Sequence, residues 1–287
     1  MNRTDYELWI FSEPLCTWCW GVEPVVRKIE GAFEGQLRVR TLLGGLIPDI
    51  TEMYDEFEAP EQTIASVSKV IFDHWQHATQ IHKMPVTTNP LTLFDEENRS
   101  SFPVNIAYYA AKLAAPDKAN DYLRWLREKV MVYDVKINRR SELLQLAKEL
   151  NIDLQKFTEA FDDGTALKAF REDLAVGVEE AIQIYPTWII KSATGKSRVN
   201  SFHHYPRLEK AIIDFGAGDL VPKPLIYSEE TAMEYFARYL SSAPIEFAVY
   251  FDLEQDKAEE ILDRMAAEKK IFKVEAGNGA LYYHPDA

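Results

Sequence analysis

Two cysteines, Cys16 and Cys19, are all the cysteine this 287-residue chain has, and they stand two residues apart in the run Pro14-Leu15-Cys16-Thr17-Trp18-Cys19-Trp20-Gly21. An apolar, strand-like stretch precedes them (Tyr6 to Phe11) and a helical pattern follows. The start of a helix carries partial positive charge and unpaired N–H groups, so a thiolate is stabilised there. Cys16, the more exposed residue at the first turn, is expected to be the low-pKa nucleophile. Cys19, nearly one turn on, is expected to be the thiol that resolves a mixed disulfide. A zinc site needs further ligands, and there is no third or fourth cysteine. Neither His74 with His77 nor the adjacent His203 and His204 supplies a convincing second pair. Two unconnected buried cysteines remain the plain alternative.

The chain around this run reads as α/β. Tyr6 to Phe11 is a first strand, and a helix is expected from about Cys16 to Ala32, kinked at Pro24. Leu37 to Leu43 alternates into a second strand that ends at Gly44-Gly45. A strand, a helix carrying CxxC at its start and a second strand make a thioredoxin-like beginning. From about residue 60 to 182 the strand signal disappears and helical stripes replace it, as a helical insertion would. Asp153 reads as an N-cap within it. Tyr185-Pro186-Thr187 then opens a strand running to Ile190, and a cis-proline at the strand entry explains Pro186. In a thioredoxin fold that position faces the CxxC, and the backbone before it can pair with a substrate segment. Trp18, Trp20 and Trp188 are candidates for an apolar rim around the thiols, with core packing the alternative. A turn at Thr194-Gly195-Lys196, a strand from Arg198 to Phe202 and a closing helix from Tyr205 to Phe215 complete this part, residues 1–216.

Residues 216–224 (GAGDLVPKP) mark a boundary dense in Gly and Pro. Beyond it, over 225–287, come a helix capped by Ser228, a short apolar segment from Ile245 to Tyr250, a helix capped by Asp252 and a hairpin about Gly277-Asn278-Gly279. That order suggests a small winged-helix-like α+β module. These residues hold 6 Lys and Arg against 13 Asp and Glu, and the whole chain carries −14. Phosphate backbones need the opposite sign, so nucleic acid and anionic membranes are poor partners. No stretch approaches the roughly 18 apolar residues of a membrane span, and Met1 to Glu7 lacks the pattern of an export signal. The expected location is the cytoplasm, where a dithiol stays reduced unless it is cycling.

Taken together, Cys-Thr-Trp-Cys-Trp-Gly after the first strand, Gly44-Gly45 after the second, His74-Trp75 in the insertion and Tyr185-Pro186-Thr187 resemble the cytosolic DsbA family, in particular its FrnE-like dithiol-disulfide isomerases. The chain is similar over nearly its whole length to the YjbH/SpxH family of ClpXP adaptors as well. That likeness rests on Glu13-Pro14-Leu15-Cys16, on Glu23-Pro24-Val25, on Glu234-Tyr235-Phe236 and on Lys273-Val274-Glu275-Ala276. The resemblance implies a thioredoxin fold with a large helical insertion. It places catalytic thiols at Cys16 and Cys19, and substrate contacts at Tyr185, Pro186, Thr187, Trp18 and Trp20. No cofactor is implied beyond the Cys16–Cys19 disulfide itself. The first function implied is a thiol-disulfide oxidoreductase or isomerase acting on protein or small-molecule disulfides. The second is an adaptor delivering an Spx-type regulator to the ClpXP protease. Thr17-Trp18 lacks the histidine of strongly oxidising relatives, so a milder couple is expected. Kappa-class glutathione transferases share the fold but usually carry serine where Cys16 stands, and Cys16 counts against them.

Overall fold

A computed structural model describes residues 5–54 and 62–287. Strand β1 (Tyr6–Ser12) leads into helix α1 (Thr17–Gly21), α2 (Glu23–Ala32) and β2 (Leu37–Leu43). Among the described residues six α-helices follow before the next strand: α3 (Ile64–His82), α4 (Phe102–Ala114), α5 (Ala119–Met131), α6 (Arg140–Glu149), α7 (Leu154–Asp162) and α8 (Thr165–Glu179). The expected start of this insertion, near residue 60, lies outside the described residues. Asp153 caps α7 as expected, accepting the N–H groups of Gln155 and Lys156. Strands β3 (Thr187–Ser192) and β4 (Gly195–Asn200) and helix α9 (Tyr205–Gly216) close this part.

The sheet has the order β2-β1-β3-β4, with β1 parallel to β2 and the other neighbours antiparallel. Alternation along β1 explains how both sheet faces are covered. Leu8 and Ile10, with Trp188 and Ile190, face Val25, Ile29, Leu208 and Ile212 of α2 and α9. Trp9, Phe11 and Ile189 face the other way, where Val176 of α8 and Ile182 pack. Fully burying a side chain of this size is worth about 1.5–3 kcal/mol. The largest core lies among the insertion helices and takes in Trp20 and Leu43 from the α/β part.

Two boundaries in this part of the chain differ from expectation. The long helix after Cys16 is two helices, broken at Val22, whose ψ of 1° is not helical. Pro24 then sits in the first turn of α2, where its missing N–H has no partner to lose. The last strand of the sheet begins at Gly195 rather than Arg198, because the hairpin pairs Ser192 with Gly195 directly.

The remaining chain forms α10 (Glu229–Tyr239), β5 (Ser241–Ser242), α11 (Pro244–Phe251), α12 (Gln255–Ala267), β6 (Phe272–Ala276) and β7 (Gly279–Tyr283). Its strands make a second sheet of order β5-β7-β6. Helix, strand, two helices and a hairpin is the element order of a winged helix. Ser228 caps α10 in a reciprocal capping box with Thr231. Asp252 is not the N-cap expected of it. It ends α11 with φ 53°, and Glu254 begins α12. This segment has an apolar core of its own around Tyr235, Phe236, Phe247 and Leu262. It is also joined to the rest by buried charges. Glu246 accepts from both terminal nitrogens of Arg124 on α5, at 2.8 and 3.0 Å, and lies 3.2 Å from Arg27 Nε on α2.

Candidate functional site: the Cys16–Cys19 dithiol

Cys16 is the N-cap of α1, and both cysteines are free thiols. The Cys16 Sγ accepts the Cys19 N–H at 3.3 Å, so the short helix holds the two sulfurs on one side. Across from them the Tyr185–Pro186 peptide bond is cis, and Pro186 stands just before β3 rather than inside it. The Cys16 thiol donates to the Tyr185 carbonyl at 3.7 Å. Chain residues 169 apart thus meet because β1 and β3 are adjacent strands, with Phe11 opposite Thr187.

Exposure follows the sequence expectation, since Cys16 is 8% accessible and Cys19 is sealed at 0%. Charge does not follow it. Burial pushes the Cys16 thiol well up, and the hydrogen bond and charge of Cys19 push the same way. Burial works upward on Cys19 too, but the Cys16 hydrogen bond, the Arg127 guanidinium and the Ser12 hydroxyl outweigh it, and the net shift is down. Of the two, the inner sulfur is therefore the more readily ionised in this conformation, and Cys16 holds its proton more tightly. The expected low pKa at Cys16 is corrected accordingly.

Arg127, on insertion helix α5, is the group behind this. It is buried, and it is held by Glu23 and by the Ser12 hydroxyl, the latter at 2.6 Å. A polar cavity of about 260 Å³ on this side is lined by Cys19, Ser12, Glu23 and Arg127 among others. Neither acidic neighbour in sequence aims at a sulfur. Glu23 is occupied by Arg127, while Glu13 accepts from the Gly45 and Leu46 N–H groups and from Asn105, at 2.9, 3.2 and 3.0 Å. Burial pushes the Glu13 carboxyl up to about 7 against those hydrogen bonds.

Around the thiols the candidate contacts divide. Trp18 is half-buried; its indole N–H donates to His74 Nε2 at 2.9 Å, and its ring packs on Phe202. Tyr185 is half-buried and packs against Gly44, where a Cβ would stand only 1.9 Å from the tyrosine oxygen. Trp20 is not a rim residue. At 0% exposure it lies in the insertion core, its N–H on the Pro85 carbonyl at 2.8 Å and Arg124 over its ring. Trp188 is likewise core. Thr187 is buried too; its hydroxyl donates to the Ile184 carbonyl, and its backbone lies in the ladder between Phe11 and Asn200. It shapes the turn and has no side-chain surface to offer. His82 is buried beside Thr17, and burial lowers it to about 4. Since its Nδ1 accepts the Met84 N–H, the neutral ring carries its proton on Nε2 and donates to the Thr17 hydroxyl.

A thioredoxin fold with a CxxC against a cis-proline defines the class, and the chain belongs to the family whose model, described as Thioredoxin, matches residues 9–208. Among curated proteins it is similar to the ClpXP adapter protein SpxH of Bacillus subtilis, 24% identical over 98% of this chain and 89% of that one. The Halalkalibacterium halodurans SpxH is likewise 24% identical, over 94% of this chain and 86% of its own. Among solved structures, the cytosolic disulfide reductase DsbM of Pseudomonas aeruginosa superposes with a TM-score of 0.53 at 18% identity, covering 74% of this chain and 95% of its own. A Nitrosomonas europaea protein proposed to be a disulfide isomerase gives 0.62 at 20%, covering 74% and 97%. These structures share the fold. No helix among the described residues is long and apolar enough to cross a membrane.

Proposed function

We propose that the chain is a cytoplasmic thiol-disulfide oxidoreductase acting on protein or small-molecule disulfides through Cys16 and Cys19. The observation that carries this is the meeting of the less buried thiol with the Tyr185 carbonyl, ahead of a cis-proline. Cys16 passes its proton to the Cys19 thiolate and attacks one sulfur of the substrate disulfide. A mixed disulfide forms, and the other substrate sulfur leaves as a thiolate that takes the proton back from Cys19. Cys19 then attacks the Cys16 sulfur, closes the Cys16–Cys19 disulfide and releases the remaining substrate sulfur as a thiolate. Two electrons pass to the substrate; the reverse sequence oxidises a dithiol. Arg127 favours the thiolate on Cys19 that both steps use. Tyr185 and Trp18, both half-buried, offer side-chain surface to the substrate segment, and the buried Pro186 sets the turn that presents the Tyr185 carbonyl.

The reading is tested by equilibrating the protein with glutathione mixtures and by capturing partners on Cys19→Ser. A reversible couple between roughly −120 and −270 mV, with mixed disulfides that disappear in Cys16→Ser, is the expected result. A pair that cannot be cycled overturns it.

One observation favours a second reading. The family match ends at residue 208, whereas the SpxH relatives run over 94% and 98% of the chain. Thiol exchange has no need of α10 to β7, and an adaptor that presents an Spx-type regulator to ClpXP has a use for a second binding surface. A regulator that co-purifies with the Cys16→Ser, Cys19→Ser protein, and is degraded faster by ClpXP in its presence, supports the adaptor.

A further inference from the structure

Strand β6 is the outer strand of the second sheet, and its free edge pairs with nothing among the described residues. The two-residue turn Gly277-Asn278 closes the hairpin at the Ala276–Gly279 pair. Main-chain groups alternate in direction along a strand, so Phe272, Val274 and Ala276 turn theirs toward β7. Lys273 and Glu275 turn theirs outward. The strand is exposed along most of its length, with Phe272 at 54% and Val274 at 39%. An open edge with two exposed apolar side chains is a template for a further strand.

We infer that this edge pairs with the same edge of a second copy of this chain, about a two-fold axis at Val274. Within one copy Lys273 already lies 2.9 Å from Asp263 and 3.2 Å from Glu275, and an antiparallel pairing centred at Val274 sets it opposite Glu275 of the other copy as a further partner. Lys273 and Glu275 are the residues whose N–H and C=O groups point outward, so each pair exchanges two main-chain hydrogen bonds, four in all. Val274 meets Val274 in the non-hydrogen-bonded position, where side chains approach most closely. Phe272 falls opposite Ala276, whose small side chain leaves room for the ring. Moving the axis to Lys273 or to Glu275 sets like charges face to face, so the register is specified as well as the partner. Opposite charges two apart in one strand complement that same strand reversed, which is why a second copy fits here better than a foreign segment. The chain's net charge of −14 opposes association at long range and is screened within about 8 Å at physiological salt. This surface is independent of the thiol chemistry.

Sedimentation of the full chain over a wide concentration range tests the inference. The expected result is reversible growth from 33.0 kDa to twice that mass. Glu275→Lys is expected to weaken the dimer at least about tenfold, and the double swap Lys273→Glu, Glu275→Lys to restore it. Concentration-dependent protection of the Lys273 and Glu275 amides in hydrogen exchange reads the same contact without any substitution. Circular dichroism establishes that each variant is folded. A wild-type monomer at every concentration overturns the inference, and makes the two charges guards of the edge. So does a dimer indifferent to Glu275→Lys, or a folded double swap that stays monomeric.

Discussion

Replacing Glu246 by alanine is expected to destabilise the protein by about 3–5 kcal/mol, the range for removing one partner of a buried ion pair. Glu246 is fully buried, and two guanidinium groups depend on it. Burial works to deprotonate Arg27, and Glu246, Tyr235 and Glu23 together outweigh it, Glu246 the largest of them, holding the guanidinium charged. Arg27 has other partners in the Tyr235 hydroxyl and the Ser241 carbonyl, at 2.9 and 2.7 Å. Arg124 is worse placed. Its Nε lies 3.3 Å from Glu128 but makes no aligned hydrogen bond, so without Glu246 its charge is left with that poorly directed carboxylate and the face of Trp20. The Ala243 N–H, which donates to Glu246 at 2.7 Å, is orphaned as well. Glu246→Gln keeps the volume and one acceptor, and is expected to fall between wild type and alanine. Urea denaturation of the three proteins measures the loss. Limited proteolysis at 217–224 adds a second readout: faster cutting there in Glu246→Ala locates the damage where the last three helices and the hairpin join the rest. An alanine variant within about 1 kcal/mol of wild type rules out this cluster as the joint.

These charges were the part of the molecule least legible in the sequence. Strand β1, the CxxC and β2 could be read directly, because alternation, cysteine spacing and a Gly-Gly stop are all local signals. The insertion helices could be read for the same reason, each having one apolar stripe. Helix α11 carried no such stripe. Pro244–Phe251 is apolar almost all round because Phe247, Ala248, Tyr250 and Phe251 are buried, and a helix wetted on no side loses its period. With no period to mark α11, Asp252 reads in the sequence as the start of the next helix rather than the end of this one. Trp20 failed as a rim residue for a related reason: neighbours in sequence around the cysteines do not share a face, and Trp20 points into the insertion. At the site, Cys16, Cys19 and Pro186 could be found from spacing and residue type. Arg127, Ser12, Asn105 and Phe202 could not, since only the tertiary fold brings the first two to Cys19, Asn105 to Glu13 and Phe202 to Trp18. One signal was available. Arg124 and Arg127 lie within the same helix as Leu123, Leu126 and Val130, and two buried arginines one turn apart need buried carboxylates to meet them. Which carboxylates those are, Glu23 and Glu246, is a matter of packing.

The pH dependence of stability is expected to run against the usual direction for a carboxylate, and Glu13 is the reason. Its pKa rises from 4.5 to about 7 on folding, chiefly through burial. Between those values the folded state binds more protons than the unfolded state. The linkage slope is then negative, and stability falls as pH rises. The contribution is fully present below about 4.5 and lost above about 7, a difference of about 3 kcal/mol at roughly 1.4 kcal/mol per unit. Groups with depressed carboxyls, Glu23 among them, work in the opposite sense, since their stabilisation is lost as pH falls through their folded pKa. The measurement is therefore a difference. Urea denaturation is carried out at pH 5 and pH 8 on a parent protein with both cysteines replaced by serine, so that no thiol titrates, and on the same parent carrying Glu13→Gln. The substitution keeps an acceptor for the Gly45 and Leu46 N–H groups and removes the proton equilibrium. The variant is expected to gain about 2.5 kcal/mol on its parent between pH 5 and pH 8, since at pH 5 the unfolded carboxyl is already mostly ionised. Equal slopes in the two proteins would mean that Glu13 is ionised in the fold at both pH values. The two N–H groups and Asn105 would then hold a buried carboxylate charged beside the dithiol, and that charge would raise the cost of every thiolate the proposed exchange requires.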